Sequence, residues 1–131
     1  MEMRIELLGG KKVSAEFKGL SIATDQPKDS GGEGSAPTPF DLFLASLGTC
    51  AGFYIQSFCQ KRGIPADGIA IVQRMEFEEP SHMVRQVAIE VSLPQGFPEK
   101  YRGGLLAAAN LCLVKKHLQE PPRIELSAKA G

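Results

Sequence analysis

Apolar and polar positions alternate at both ends of the chain and lose that alternation in its middle. Met3, Ile5 and Leu7 interleave with Glu2, Arg4 and Glu6, and Val13, Ala15 and Phe17 interleave with Lys12, Ser14 and Glu16. A period of two is that of a strand with one wet face. Gly9-Gly10 and Lys18-Gly19 turn the chain between runs, and Leu20 and Ile22 belong to a third, so residues 2–24 are predicted as a strand meander. Gln26 to Pro37, rich in Gly, Ser and Pro, reads as a loop, either a linker or a lid beside a site.

From Thr38 to Arg62 the pattern is helical. Thr38 suits an N-cap, Pro39 the first helical position, and Asp41 the positive end of the dipole. Lys61, Arg62 and Gly63 form the stop signal. A helix over 38–62 would span roughly 36 Å. Phe40, Leu42, Phe43, Leu44, Leu47, Phe53, Tyr54, Ile55 and Phe58 fill no single stripe, which marks either a membrane span or a buried axle. Leu42 to Gln60 carries no formal charge, and Gly48-x-x-x-Gly52 matches a membrane packing motif. Against a span, Ser46, Thr49, Gln56, Ser57 and Gln60 are scattered along it, so a globular core helix is expected and no membrane partner.

Beyond the helix, Ile69, Ile71, Met75 and Phe77 share one strand face, and Val87, Ile89, Val91 and Leu93 share another, predicting a hairpin over 69–93. Residues 98–118 are predicted as C-terminal helices with Leu105, Leu106, Ala109, Leu113 and Leu118 as a buried stripe and Asn110 as an internal cap. Ile124 and Leu126 then alternate in a last strand, 123–128. The order gives an α+β fold in one domain, 1–131, with antiparallel sheets around a long buried central helix. One small sheet cannot wrap a helix that is apolar on every side, and a second copy of the chain can; a homodimer with a shared core is expected.

Composition narrows the classes. Hydrophobic content of 43% and charged content of 23% are ordinary globular values. Fifteen basic residues balance fifteen acidic ones without an aromatic-studded basic cluster, so no nucleic-acid partner is expected. Three cysteines, Cys50, Cys59 and Cys112, do not make a secreted disulfide framework. The N-terminus lacks the layout of a signal peptide, and a cytoplasmic location is expected.

Chemistry centres on the thiols. Cys50 sits mid-helix between Gly48 and Gly52, small residues that let other backbone approach. Cys59 lies half a turn away around the same helix and reads as a small buried hydrophobe. Cys112 stands on another element, at a candidate helix start where backbone N–H groups lower a thiol pKa. Cys50 gains little from its own helix dipole and would need a nearby cation. His82 falls in a hairpin loop and His117 is five residues past Cys112, so no metal ligand motif forms and no metal or cofactor is expected.

The run Ala36-Pro37-Thr38-Pro39-Phe40-Asp41-Leu42-Phe43-Leu44-Ala45-Ser46-Leu47-Gly48-Thr49-Cys50, with Leu111-Cys112-Leu113-Val114 further on, resembles the OsmC/Ohr family of osmotically induced and organic hydroperoxide resistance proteins. The likeness covers almost the whole chain. It implies an intertwined homodimer with two interface sites and a metal-free peroxidase cycle. In that cycle Cys50 would be the peroxidatic thiol, oxidised to a sulfenic acid by an organic hydroperoxide, and Cys112 the resolving thiol. The resulting disulfide would be opened by an external dithiol or lipoyl-type reductant. The family's hydroperoxide enzymes carry Asn-Pro-Glu at the helix start, with an Arg from the N-terminal strands; here Thr38-Pro39-Phe40 and Lys11-Lys12 stand there. Lys11, Lys12, Glu33 and Asp41 are therefore the candidate activating groups, and the broad OsmC-like branch is the better match. Two other readings remain: a non-catalytic dimer binding a small apolar ligand at its interface, and a structural stress protein.

Overall fold

The computed structural model describes residues 1–130, which form two compact units that divide between Ala45 and Ser46, within helix α1, Pro39–Lys61. In the first unit β1 (Arg4–Gly9), β2 (Lys12–Phe17) and β3 (Leu20–Thr24) form an antiparallel sheet in the order β1-β2-β3. Gly9, Gly10 and Gly19 take positive φ at its two turns, where a side chain would be strained. Ser14, expected on the wet face, is the buried residue of β2, and Ser21 on β3 donates to Glu16 Oε1 at 2.8 Å.

The 26–37 loop is folded onto one carboxylate. Asp25, 1% exposed, accepts hydrogen bonds from the N–H groups of Gln26, Glu33 and Ser35 and from the Ser35 hydroxyl at 2.6 Å. The Ser35 hydroxyl, the Gln26 and Ser35 amides and then the Glu33 amide pull its pKa down to about 2, against the opposing effect of burial. Gly32 is obligatory here, since a Cβ would stand 2.0 Å from Gln26 O.

Helix α1 starts in a reciprocal capping box: Thr38 N–H donates to Asp41 Oδ2 and Asp41 N–H to Thr38 Oγ1, both at 3.0 Å. It ends in a Schellman turn, with Gly63 at φ 65°, Gly63 N–H on Gln60 O and Ile64 N–H on Cys59 O. Arg62 closes that end, its guanidinium 3.7 Å from the centroid of Phe58, whose ring meets Tyr101 edge-on.

In the second unit β4 (Ala70–Glu78) and β5 (Met83–Ser92) pair as an antiparallel hairpin. Two helices follow, α2 (Arg102–Ala109) and α3 (Leu113–Gln119). The core joins Ile55, Phe58 and Cys59 of α1 to Leu105 of α2, with Ile71 of β4 and Val91 of β5 packed against it. Gly48 and Gly52 face β4: a Cβ on Gly48 would meet Gln73 Oε1 and one on Gly52 would meet Ile71 Cδ1.

Several expectations need correcting. By length and composition α1 is able to cross a membrane, but within this chain its Leu44, Leu47, Ala51, Ile55 and Phe58 are buried while Phe53 is 62% exposed. In the single chain it has one open side rather than being enclosed all round. Of the stripe expected on 98–118 only Leu105 is buried; Leu106, Leu113 and Leu118 are exposed, because the chain breaks between α2 and α3 and turns the stripe out of register. Phe77 is exposed because a bulge between Glu76 and Phe77 shifts the register at the hairpin tip. Residues 123–128, read as a last strand, have no ladder partner among the described residues. A strand needs a neighbouring edge, and here Ile124 and Leu126 stand 88% and 99% exposed.

Candidate functional site

The sequence places Cys50 and Cys112 far apart, and the second unit brings them together. Cys112 does not sit inside a helix begun by Asn110. Asn110 ends α2, its N–H bonded to Leu106 O, and Cys112 itself is the N-cap of α3, with extended backbone at φ −46° and ψ 119°. Its Sγ accepts from Lys115 N–H at 3.5 Å, the role a Ser or Asp oxygen plays in an ordinary cap.

The first N–H groups of any α-helix have no intrahelical acceptor. In α3 those of Leu113 and Val114, together with the thiol of Cys112, favour the charged form of the Cys50 thiol, and Cys112 Sγ also lies 4.0 Å from Leu47 O. Both cysteines are free, Cys50 half-buried and Cys112 5% exposed. Burial pushes the Cys50 thiol up, but the Val114 amide, the Cys112 thiol and the Leu113 amide outweigh it and leave its pKa below the ordinary value. Cys112 goes the other way, raised first by burial and further by donating to Cys50 and by the charge Cys50 would carry. Of the two, Cys50 is therefore the thiol that ionises more readily and Cys112 the one that keeps its proton longer.

What lowers the Cys50 pKa within the second unit is backbone amides and the Cys112 thiol, and amides have no side-chain signature in a sequence. The candidate activating groups lie in the first unit and have partners there. Lys12 Nζ pairs with Glu33 Oε2 at 2.6 Å, and that ion pair raises the Lys12 pKa. Asp41 caps α1 through Thr38, and Lys11 lies along the loop at Gly31. Cys59, fully buried beside Phe58 and Leu105, is a core residue. His82 pairs with Glu79 at 3.0 Å, and His117 Nδ1 lies 2.8 Å from Leu113 O.

A cavity of about 630 Å³ opens next to the cysteines, lined by apolar side chains of α1, β5, α2 and α3. Cys112 is part of its wall and Cys50 is not. At its rim Lys115 Nζ donates to Asn110 Oδ1.

Comparison with known proteins agrees with this architecture. A Psychrobacter arcticus protein, described as a candidate osmotic stress induced and detoxification response protein, is 25% identical with a TM-score of 0.73, over 87% of this chain and 85% of its own. An OsmC-like protein from Mycoplasma pneumoniae is 13% identical with a TM-score of 0.66, over 92% and 87% of the two chains. An organic hydroperoxide resistance protein, OsmC, from Legionella pneumophila is 19% identical with a TM-score of 0.55, over 91% and 90%. The last two are likenesses of fold. No curated protein matches the sequence. The profile of the family described as OsmC-like protein matches residues 32–127, which span α1, both cysteines and the hairpin between them, and the chain belongs to that family.

Proposed function

We propose that the chain is a cysteine-based thiol peroxidase for organic hydroperoxides, serving a stress response. What carries the reading is the Cys50–Cys112 pair, in which the Val114 amide, the Cys112 thiol and the Leu113 amide lower the Cys50 pKa against the effect of burial. In this cycle the Cys50 thiolate attacks the outer oxygen of ROOH, the O–O bond breaks, and the alkoxide leaves as ROH after taking a proton. The sulfenic acid Cys50–SOH is then attacked by Cys112; an S–S bond forms and hydroxide leaves with the Cys112 proton as water. An external dithiol restores both thiols. The cycle needs no metal or cofactor, and cytoplasmic reductants would sustain it. The fold shared with the Legionella pneumophila hydroperoxide resistance protein supports the reading by analogy.

A homodimer fits the same reading. The uncovered side of α1, the exposed Ile5 and Leu7 on β1 and the unpaired tail at Ile124 and Leu126 are apolar surfaces that a second copy would cover.

The test is consumption of cumene hydroperoxide with a dithiol as reductant. Wild type should lose two thiols per chain for the first equivalent of peroxide and keep Cys59 free. Cys50→Ser should lose the activity, and an unchanged rate in that variant would remove the reading.

The apolar cavity favours one second reading, a binding module for a small apolar ligand with both cysteines inert. It requires a ligand in the native protein's mass spectrum and no Cys50–Cys112 disulfide after oxidant.

A further inference from the structure

Helix α3 hangs from the thiol pair. None of its residues, Leu113–Gln119, is buried, and Val114 alone is half-buried. A helix of about two turns is not stable by itself, so with so little packed against it α3 depends on how its first turn is held. Its first intrahelical bond runs from Lys116 N–H to Cys112 O at 3.1 Å, which leaves the N–H groups of Leu113, Val114 and Lys115 to acceptors outside the helix. The Lys115 N–H has the Cys112 sulfur, at 3.5 Å. Those of Leu113 and Val114 favour the charged form of the Cys50 thiol. The start of the helix is therefore held by the same two sulfurs that would bond to each other. An S–S bond is about 2.05 Å long with a dihedral near 90°, far inside any non-bonded contact, so closing it moves Cys112 Sγ toward Cys50. It also removes the negative charge that the Leu113 and Val114 amides favour.

We propose, resting on the peroxidase reading above, that α3 is a redox-released helix: when the Cys50–Cys112 disulfide forms, Cys112 Sγ leaves its capping position, the first turn of α3 frays, and the stretch of cavity wall supplied by Lys115 and Leu118 loosens with it. In that step the Cys112 thiol gives up its proton and its sulfur attacks Cys50–SOH. The S–S bond forms as the S–O bond breaks, and hydroxide leaves with the proton as water. Two electrons and two protons from a dithiol restore both thiols, and the cap returns with them. The oxidation state of a sulfur pair is thereby passed to an exposed helix.

The experiment is amide hydrogen exchange on the full-length protein, reduced or oxidised with one equivalent of cumene hydroperoxide, read by mass spectrometry on peptides covering 112–120. Exchange over α3 should rise about fivefold on oxidation, the fold-change that corresponds to losing one helix cap, while peptides of β4 and β5 keep their rates. Reduced Cys112→Ser, which keeps an oxygen at the cap, should match reduced wild type, and reduced Cys112→Ala should match the oxidised protein. The wild-type comparison decides the matter even if Cys112→Ala misfolds. With the disulfide verified by peptide mapping, unchanged or slower exchange over α3 means that the covalent tie to α1 outweighs the lost cap; it overturns the inference and leaves the peroxidase reading standing. So does a rise spread evenly over all peptides. If the peroxide forms no Cys50–Cys112 disulfide, that reading is removed, and the inference with it.

Discussion

Gln73 of β4 reaches so far toward Gly48 of α1 that a Cβ on the glycine would stand 2.4 Å from its Oε1. Two residues from Cys50, Gly48 lies about 160° round the helix from it, so Gly48 serves helix-to-hairpin packing rather than the thiol pair. Glycine inside a helix normally costs about 1 kcal/mol relative to alanine. Gly48→Ala recovers that only if Gln73 can move aside. In a Gln73→Ala background the substitution should stabilise by up to about 1 kcal/mol. In the native background the gain should be smaller or reversed, with a coupling of at least about 0.5 kcal/mol. Urea unfolding of the four proteins measures it; strict additivity would mean that the close approach has no energetic weight.

Cys112→Ala separates the two thiols' roles. With no resolving sulfur, Cys50 should stall as a sulfenic acid that a 1,3-diketone probe traps after one turnover. Steady-state turnover should fall at least about tenfold. The same variant removes one of the hydrogen bonds that lower the Cys50 pKa. The pH midpoint of Cys50 alkylation should therefore rise relative to wild type, although the Leu113 and Val114 amides remain. A midpoint that falls instead would contradict the assignment of the proton to Cys112.

How much of this was legible beforehand differs from residue to residue. The capping box was half visible, since Thr38 and Asp41 stand at the right spacing and both are short polar groups. Cys50 and Cys112 were visible as candidates in their flanking residues, but what lowers the Cys50 pKa was not: besides the Cys112 thiol it is the main-chain amides of Leu113 and Val114, which any residue except proline would supply. Asn110 looked the stronger cap, yet it keeps helical backbone at the end of α2 and leaves capping to Cys112. The direction of Gly48 and Gly52 was within reach of arithmetic, because two residues either way from Cys50 is about 200°, which puts them on the opposite side of the helix. Asp25 was hidden, because its partners are assembled only when the loop closes back to Ser35.

That carboxylate makes the loop sensitive to acid. Asp25 titrates at about 2 when folded against an ordinary value of 3.8. A depressed carboxyl pKa adds stability that is fully present above the unfolded value and is lost as pH falls through the folded one. Wild type should lose this contribution between roughly pH 4 and pH 2, whereas Asp25→Asn should be less stable at pH 5 and free of that acid step. Urea midpoints from pH 5 down to pH 2 provide the comparison. A wild-type step at higher pH would point to a different carboxylate.

The unpaired tail carries the last prediction. Ile124 and Leu126 alternate as a strand does, yet stand almost fully in solvent. Burying a large aliphatic side chain is worth about 1.5–3 kcal/mol, so seating both on a second copy would add about 3–6 kcal/mol per tail to the dimer. Removing residues 123–131 leaves every ladder of the two sheets intact, because none of their pairings involves the tail. The truncated chain should keep its far-ultraviolet circular dichroism per helical and strand residue while its dimer dissociates at a concentration at least about a hundredfold higher, measured by sedimentation. If the apolar tail is instead incidental, truncation will leave the sedimentation profile unchanged. The double substitution Ile124→Asp with Leu126→Asp should match the truncation, since it keeps the backbone and removes only the apolar contribution.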